Sequence, residues 1–308
     1  MPDAVRRFDV VVVGGGPAGL SAALVLGRCT RRVLVVDDGQ PRNAPAEALH
    51  GFLTRDGIPP LELLRIAREE LARYGVRVRD GRVISARAAD GPRPGFEVTV
   101  ENGELLRCRK LLLATGVKDT VPAVEGMLPY YGRGVHHCPY CDGWEARGGR
   151  LAAYGAAPAS PALGLHLLTW SSDVTVLTDG VSVEPGSRER LERNGVRLVE
   201  EPVARLEGDG PDGGSLTAVV LRSGERLPLD ALFFASARVQ HSDLPALLGC
   251  ELEEGGEVRV RGAQRTGVPG LYLAGDADGD VQFAVVAAAE GARAAVAINQ
   301  DLEKEDLL

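Results

Sequence analysis

The segment Gly14-Gly15-Gly16-Pro17-Ala18-Gly19 restricts this chain more than any other stretch does. It follows an apolar, β-branched run at residues 9–13 and precedes an Ala/Leu-rich stretch at residues 20–27 that reads as a buried helix. A second apolar strand at residues 32–36 ends in Asp37-Asp38-Gly39. Strand, glycine turn, helix and strand in that order give a parallel pair covered on both faces. Within the turn Gly14 permits the sharp bend, Gly16 lets a pyrophosphate approach the backbone, and Gly19 lets helix and strand pack closely. Pro17 and Ala18 open the helix, whose N-terminus offers N–H groups and a positive dipole end to phosphate. Asp37, with Asp38 beside it, stands where an acid accepts ribose hydroxyls. The expectation is a dinucleotide site.

The rest of the chain repeats the theme. A helix is expected over residues 60–74, with Leu61, Leu64, Ile66 and Leu71 inward and Gly75 ending it. Strands are expected at 76–79, 82–86, 96–100 and 110–114, with a Gly/Pro turn at 91–95. A second β-α-β pattern begins near Arg150: a strand at 151–154, a Gly/Ala/Pro turn at 155–161, a helix at 162–170 and a strand at 174–177. Residues 208–215 read as a hairpin loop. A last strand at 270–274 meets Gly275-Asp276, and an Ala-rich helix follows at 285–299. A carboxylate at Asp276 suits the ribityl chain of a flavin, and paired with the N-terminal motif it points to FAD. The chain's 308 residues are comfortable for two domains. The fold class expected is therefore α/β, with two Rossmann-like nucleotide-binding domains of three-layer ββα type, the second inserted in the first.

Charge and cysteine usage narrow the function. A net charge of −8 argues against a nucleic-acid face and against general attraction to anionic membranes. No apolar run reaches the roughly 18–20 residues needed to span a bilayer, and the N-terminus does not read as a signal peptide, so a cytoplasmic protein is expected. Five cysteines at irregular spacing are not a disulfide framework. Cys138-Pro139-Tyr140-Cys141-Asp142 is the chemical centre. Two thiols this close can close a small ring and exchange with a substrate disulfide through a mixed disulfide. Asp142 is placed to move the proton this cycle needs, and His136 and His137 precede the pair and can tune it. Zinc is the alternative use of such a pair. It needs four ligands, and no second Cys-x-x-Cys is present, although His136 or His137 could add one; no metal is expected. Cys29, Cys108 and Cys250, and likewise Trp144 and Trp170, read as packing residues. His50 reads either as a loop histidine or as a neighbour of the flavin or substrate.

These residues together resemble the low-molecular-weight thioredoxin reductase family over nearly the whole chain. The likeness rests on residues 14–20, on Ala114-Thr115-Gly116, on Gly132-Arg133-Gly134-Val135 leading to the cysteine pair, and on Gly275-Asp276. It implies a discontinuous FAD domain over residues 1–117 and 240–308, an inserted domain over 118–239 carrying the cysteines, and a homodimer. It implies that Cys141 faces the flavin, that Cys138 exchanges with substrate, and that Asp142 is the acid–base. It extends the FAD site from Gly14, Gly16, Pro17, Ala18, Gly19, Asp37 and Asp38 to Gln40, Arg42, Asn43, His50, Val83, Ala114, Thr115, Gly116, Gly275, Asp276, Gln282, Phe283 and Ala284. Members often carry Arg where Gln282 stands. The inserted domain departs further. Its phosphate loop reads Gly155-Ala156-Ala157-Pro158-Ala159-Ser160, with the Ala157 Cβ where a pyrophosphate would approach. The basic cluster that holds a 2′-phosphate is replaced by Leu177-Thr178-Asp179-Gly180, where Asp179 repels that phosphate or accepts a ribose hydroxyl. NAD(P)H is therefore a doubtful donor. The Cys-Pro-Tyr-Cys centre with a preceding histidine also resembles the branch that oxidises small dithiols, as in gliotoxin- and holomycin-type products. The expected activity is oxidation of a small dithiol or protein thiol, with electrons passing to FAD and dioxygen. The alternative is disulfide reduction fed by NAD(P)H or another donor.

Overall fold

A computed structural model describes residues 7–89, 94–156, 158–210, 214–235 and 237–308. Most of the turn expected at 91–95, the middle of the loop at 208–215, and Ala157 lie outside the described residues. The chain divides into two compact units. The first comprises residues 1–44, 51–118 and 238–308, and the second comprises 45–50 and 119–237.

The first unit opens with β1 (Arg7–Val13), α1 (Pro17–Arg28) and β2 (Val33–Asp37). It continues through α2 (Pro60–Ala72), β3 (Arg77–Asp80), β4 (Val83–Ala88), β5 (Phe96–Val100) and β6 (Leu105–Leu113), and β7 (Val117–Thr120) spans the boundary into the second unit. The second unit holds β8 (Val135–His136), α3 (Pro139–Asp142), β9 (Leu151–Tyr154), α4 (Ala159–Leu167), β10 (Val174–Leu177), α5 (Pro185–Arg193) and β11 (Arg197–Val199). It closes with β12 (Val203–Gly208), β13 (Leu216–Leu221), β14 (Arg226–Pro228) and β15 (Ala231–Phe234). The chain returns along β16 (Ala237–Gln240), which pairs with β7, and adds α6 (Leu244–Leu247), β17 (Leu271–Leu273) and α7 (Ala284–Asp306) to the first unit.

In the first unit β1 lies between β2 and β6, parallel to both, and β17 joins β6 in parallel. The N-terminal half of β6 continues antiparallel into β5 and β4. Both faces of β1 are buried, as its unbroken apolar run requires. Val10 and Val12 pack with α1, α2 and α7 residues such as Leu26, Leu71 and Ile298, while Val11 and Val13 pack with Phe96, Val98 and Leu106. The second unit repeats this plan with a parallel sheet in the order β11-β10-β9-β15-β8. Leu151 and Ala153 of β9 face Leu167 of α4 and Leu191 of α5, whereas Ala152 and Tyr154 face the β12-β13-β14 meander. Helices on one face of a sheet and a β-layer on the other make each unit a three-layer Rossmann-like domain.

Several local expectations change. Helix α4 starts at Ala159, earlier than expected, because Pro161 falls in its first turn, where a missing N–H costs no helical bond. Helix α7 runs on to Asp306, its end anchored by Leu302 in the core and by Asp306–Arg31 and Glu305–Arg109 ion pairs. Leu61 is 58% exposed and not inward, since the buried stripe of α2 runs through Leu64 and Leu71. Trp144 is 64% exposed, its ring under the Arg147 guanidinium at 4.0 Å, and so is not a core residue. Cys108 and Cys250 are buried thiols; burial pushes Cys108 up to about 12 and also raises Cys250, so both stay protonated and inert. Cys29 is half-buried at the end of α1.

Helix α7 lies against α1 at Gly291, where an added Cβ would fall 2.0 Å from the Ala18 carbonyl oxygen. Backbone cannot yield as a side chain does. Gly291→Ala is expected to lower stability by about 1–3 kcal/mol, read as the shift of the thermal unfolding midpoint.

Candidate active site

The first unit gathers its glycine turns at the C-terminal ends of β1, β6 and β17. Gly14 has φ +107°, and a Cβ there would strike the Ala114 carbonyl oxygen at 2.2 Å. A Cβ at Gly19 would strike the Gly14 carbonyl at 2.0 Å, which is the close helix–strand approach the motif requires. Around Gly16, in contrast, a Cβ would meet nothing within 4 Å. That space lies at the start of the twelve-residue helix α1, whose first turn carries no acidic residue and has Pro17 at its first position. Thr115, just past β6, has a buried hydroxyl with no partner. An open glycine at a helix N-terminus and a buried hydroxyl awaiting a bond fit a dinucleotide whose phosphates rest on α1.

The other expected cofactor residues divide into two sets. Asp37 accepts a 2.9 Å bond from the Gly15 N–H and pairs with Arg68, so it braces the glycine turn. Arg42 donates to Asp276 Oδ2 at 2.9 Å and to Gln282 Oε1 at 2.6 Å, joining three of the expected residues. Gly275 donates its N–H to Glu290 Oε2 at 2.6 Å, and its Cα side faces the Ala18 methyl. Phe283 caps α7, and Ala284 is its first residue. Asp38 instead pairs with His241 Nε2 at 3.0 Å and takes the Gln40 N–H at 3.2 Å. Gly116 accepts a bond from the His241 N–H. Val83 is buried in the core from β4, two strands away from β6. Asn43 sits half-buried in the turn after Arg42. His50 belongs to the 45–50 segment of the second unit, where its Nε2 lies 3.5 Å from Glu145.

The second unit carries the sulfur chemistry. Strand β8 pairs with β15, setting the His136 ring beside the Phe233 ring at 5.4 Å. The chain then turns into α3, a single helical turn begun by Pro139, whose fixed φ suits that position. Cys138 and Cys141 are joined in a disulfide. The Cys138 sulfur also accepts the Cys141 N–H at 3.1 Å. Both cysteines are partly accessible, and Tyr140 between them is 68% exposed. His136, and not His137, meets Asp142: its Nδ1 lies 3.3 Å from Asp142 Oδ1. His137 turns instead to Tyr131, its Nδ1 3.0 Å from the phenol oxygen. Among the described residues no group of three or more His, Cys, Asp or Glu side chains is arranged to hold a metal ion.

The expected ribose position of the second unit is already engaged. Asp179, at φ 52° just past β10, accepts the Tyr154 hydroxyl at 2.7 Å through Oδ2 and the Val203 N–H at 2.9 Å through Oδ1. Burial, and then the adjacent Asp179 carboxylate, raise the Tyr154 phenol, so it remains a donor at any physiological pH. No basic side chain of residues 178–184 is present to pair with a 2′-phosphate.

Sequence reasoning missed Glu290, His241, Tyr154, Tyr131 and Asp119. Glu290 had a signal, as a lone carboxylate in the run Ala287-Ala288-Ala289-Glu290-Gly291-Ala292.

A Rossmann-type dinucleotide cradle on one unit and an exchangeable disulfide on the other define the class of a flavin-dependent disulfide oxidoreductase. Residues 8–291 match the pyridine nucleotide-disulphide oxidoreductase family, and the chain belongs to it. A probable thioredoxin reductase of Arthroderma benhamiae is 31% identical over 97% of this chain and 81% of its own. The thioredoxin reductase sirT of Leptosphaeria maculans is 31% identical over 95% and 93%. Among solved structures, HlmI is 35% identical with a TM-score of 0.93, covering 97% of this chain and 94% of its own. The putative thioredoxin reductase TrxB of Bacillus anthracis is 31% identical with a TM-score of 0.90, over 97% and 99%.

Glu290 gives this site a pH signature. It is 4% exposed, and burial, followed by the charges of Asp278, Asp280 and Asp276, raises its carboxyl to about 7 against the pull of the Gly275 N–H. A folded-state value above the unfolded one stabilises the fold at low pH, and that stability is lost as pH rises through about 7. The protein is expected to lose about 1–3 kcal/mol between pH 5 and 8 from this group. Glu290→Gln should flatten that part of the profile, measured by thermal unfolding across the range.

Proposed function

We propose that this protein is a flavin-dependent dithiol oxidase, taking electrons from a small dithiol or a protein thiol through Cys138 and Cys141 and delivering them by way of FAD to dioxygen. The observation that carries this reading is the engagement of Asp179 by Tyr154 and Val203, in a loop without a basic residue. The disulfide is formed, and the 178–184 loop of the unit bearing it offers no Lys or Arg to a 2′-phosphate. Disulfide reduction fed by NADH or another donor is the second reading, favoured by the family and by relatives named thioredoxin reductase.

The chain's own residues supply the following steps. A substrate thiolate attacks the Cys138 sulfur; a substrate–Cys138 bond forms, the Cys138–Cys141 bond breaks, and Cys141 leaves as a thiolate. The second substrate thiol attacks the substrate sulfur of this mixed disulfide, releasing oxidised product and a Cys138 thiolate. The Cys141 N–H that already points at the Cys138 sulfur stabilises that charge. Asp142, held by His136, moves protons at the pair. Gly14, Gly16 and the first turn of α1 would hold the cofactor's phosphates and Thr115 and Asp276 its polar groups, with Arg42 and Gln282 bonded to Asp276 and to each other. When bound, FAD supplies a two-electron acceptor that dioxygen can reoxidise. The working unit in this reading is a homodimer.

The test is flavin bleaching without oxygen. Dithiothreitol is expected to bleach the holoenzyme, with colour returning in air, while NADPH and NADH leave it yellow. Rapid bleaching by either nucleotide would restore the reductase reading. Cys138→Ser is expected to abolish turnover, and Asp142→Asn to slow it by about 100-fold.

A further inference from the structure

Helix α7 carries one carboxyl that the chemistry above leaves unused. Glu290 is 4% exposed and belongs to the first unit. Its place is set from two sides. Gly291, the next residue, lies against the first turn of α1, where an added Cβ would fall 2.0 Å from the Ala18 carbonyl oxygen. The Glu290 side chain reaches the Gly275 N–H, which its Oε2 accepts at 2.6 Å. Gly275, at φ +89°, begins the turn that carries Asp276, and an added Cβ there would come 3.0 Å from the Ala18 methyl. Glu290 therefore lies where the start of α1 and the Gly275-Asp276 turn meet, between the two parts of the cofactor cradle.

The carboxyl is poorly provided for as an ion. A buried carboxylate needs a paired cation or several donors to offset its lost hydration. Glu290 has one donor, and its Oε1 has no hydrogen-bond partner among the described residues. No Lys, Arg or His among the described residues forms an ion pair with it. Arg42 is bonded to Asp276 and Gln282. The start of α1, Pro17 to Ala23, contains no titratable residue. The charged groups acting on Glu290 are carboxylates: Asp278 and Asp276 in the turn after β17, and Asp280 in the connection to α7. Burial first, and then these aspartates, raise its carboxyl to about 7. A dinucleotide in the cradle would bring a pyrophosphate to the start of α1 and displace water. Added negative charge and lost hydration both disfavour the carboxylate further.

We propose that Glu290 is the proton-linked group of the cofactor site: FAD binds the neutral acid, and where the free protein holds Glu290 ionised, binding draws a proton from solution onto its carboxyl. This rests on the reading above that FAD occupies the cradle of the first unit. The balance is at most one proton taken from water for each cofactor bound, and no electron moves. A group whose affinity for its proton rises on binding favours the complex at low pH. Affinity for FAD is therefore full below the titration of Glu290 in the free protein and falls as pH rises through it.

Two measurements on the full-length protein test this. Diluted holoprotein releases FAD, whose fluorescence rises when it is free, so a dilution series gives a Kd at each pH. That Kd is expected to rise about tenfold from pH 7 to 8.5 and to stay level from pH 5 to 6. Glu290→Gln keeps an oxygen for the Gly275 N–H and is neutral at every pH, so its Kd should change by no more than about twofold over the whole range. Calorimetric titration of the apoprotein with FAD, in two buffers of different ionisation enthalpy, counts the protons. The unaltered protein is expected to take up about 0.5–1 proton per FAD at pH 8, and close to none at pH 5. A Kd independent of pH, no uptake at pH 8, or a rise in Kd that persists in Glu290→Gln would overturn the proposal. The last result would assign the linkage elsewhere, for example to His241 and Asp38. FAD bound with a pH-independent affinity sinks this proposal and leaves the cofactor reading standing, whereas no binding at any pH sinks both.

Discussion

Contact between backbone and backbone, where no side chain intervenes, is the constraint on which the first unit rests. Helix α1 is clamped between the turn that follows β1, through Gly19 against the Gly14 carbonyl, and helix α7, through Gly291 against the Ala18 carbonyl. With α1 fixed from both sides, its N-terminus is held over the ends of β1, β6 and β17. Gly275 then meets the Ala18 methyl, and Glu290, one residue before Gly291, reaches the Gly275 N–H. Because two helices approach so closely, a carboxyl is buried beside three aspartates. The cofactor cradle is thus a by-product of how tightly the helices pack.

The second unit uses the same plan with different contents. Strand β9, which opens its β-α-β unit, ends in Tyr154 where β1 of the first unit ends in Val13, and the phenol reaches across to the end of the neighbouring strand. The Asp at that end, Asp179, corresponds in place to Asp37, yet each turns inward to brace its own scaffold: Asp37 to the Gly15 N–H, Asp179 to Val203 and Tyr154. The disulfide pair instead sits after the edge strand β8.

The architecture was legible because its signals were local. Unbroken apolar strands, glycine spacing and an Ala-rich helix each fix a short segment, and Val10 to Val13 could be assigned to buried faces from their neighbours alone. The disulfide followed from a spacing of three residues. What escaped depends on pairs far apart in sequence: Asp38 with His241, Gly275 with Glu290, Asp119 with Tyr131. The two adjacent histidines illustrate the limit. Sequence placed both beside the cysteines, but His136 ends β8 and turns to Asp142, while His137, in the bend that follows, turns to Tyr131. Leu61 and Trp144 failed for the opposite reason, since an apolar residue next to a core element need not belong to the core.

Asp179 has a consequence for the history of the fold. To free its carboxylate for a ligand would strip a partner from the Val203 N–H and from a mostly buried phenol, each a loss of about 1–3 kcal/mol. Such a residue acts as a ratchet. Once a carboxylate has been recruited as a staple between β10, β9 and the meander, reversion to ligand reading must cross a less stable intermediate, and a lineage that has taken this step drifts onward more easily than back.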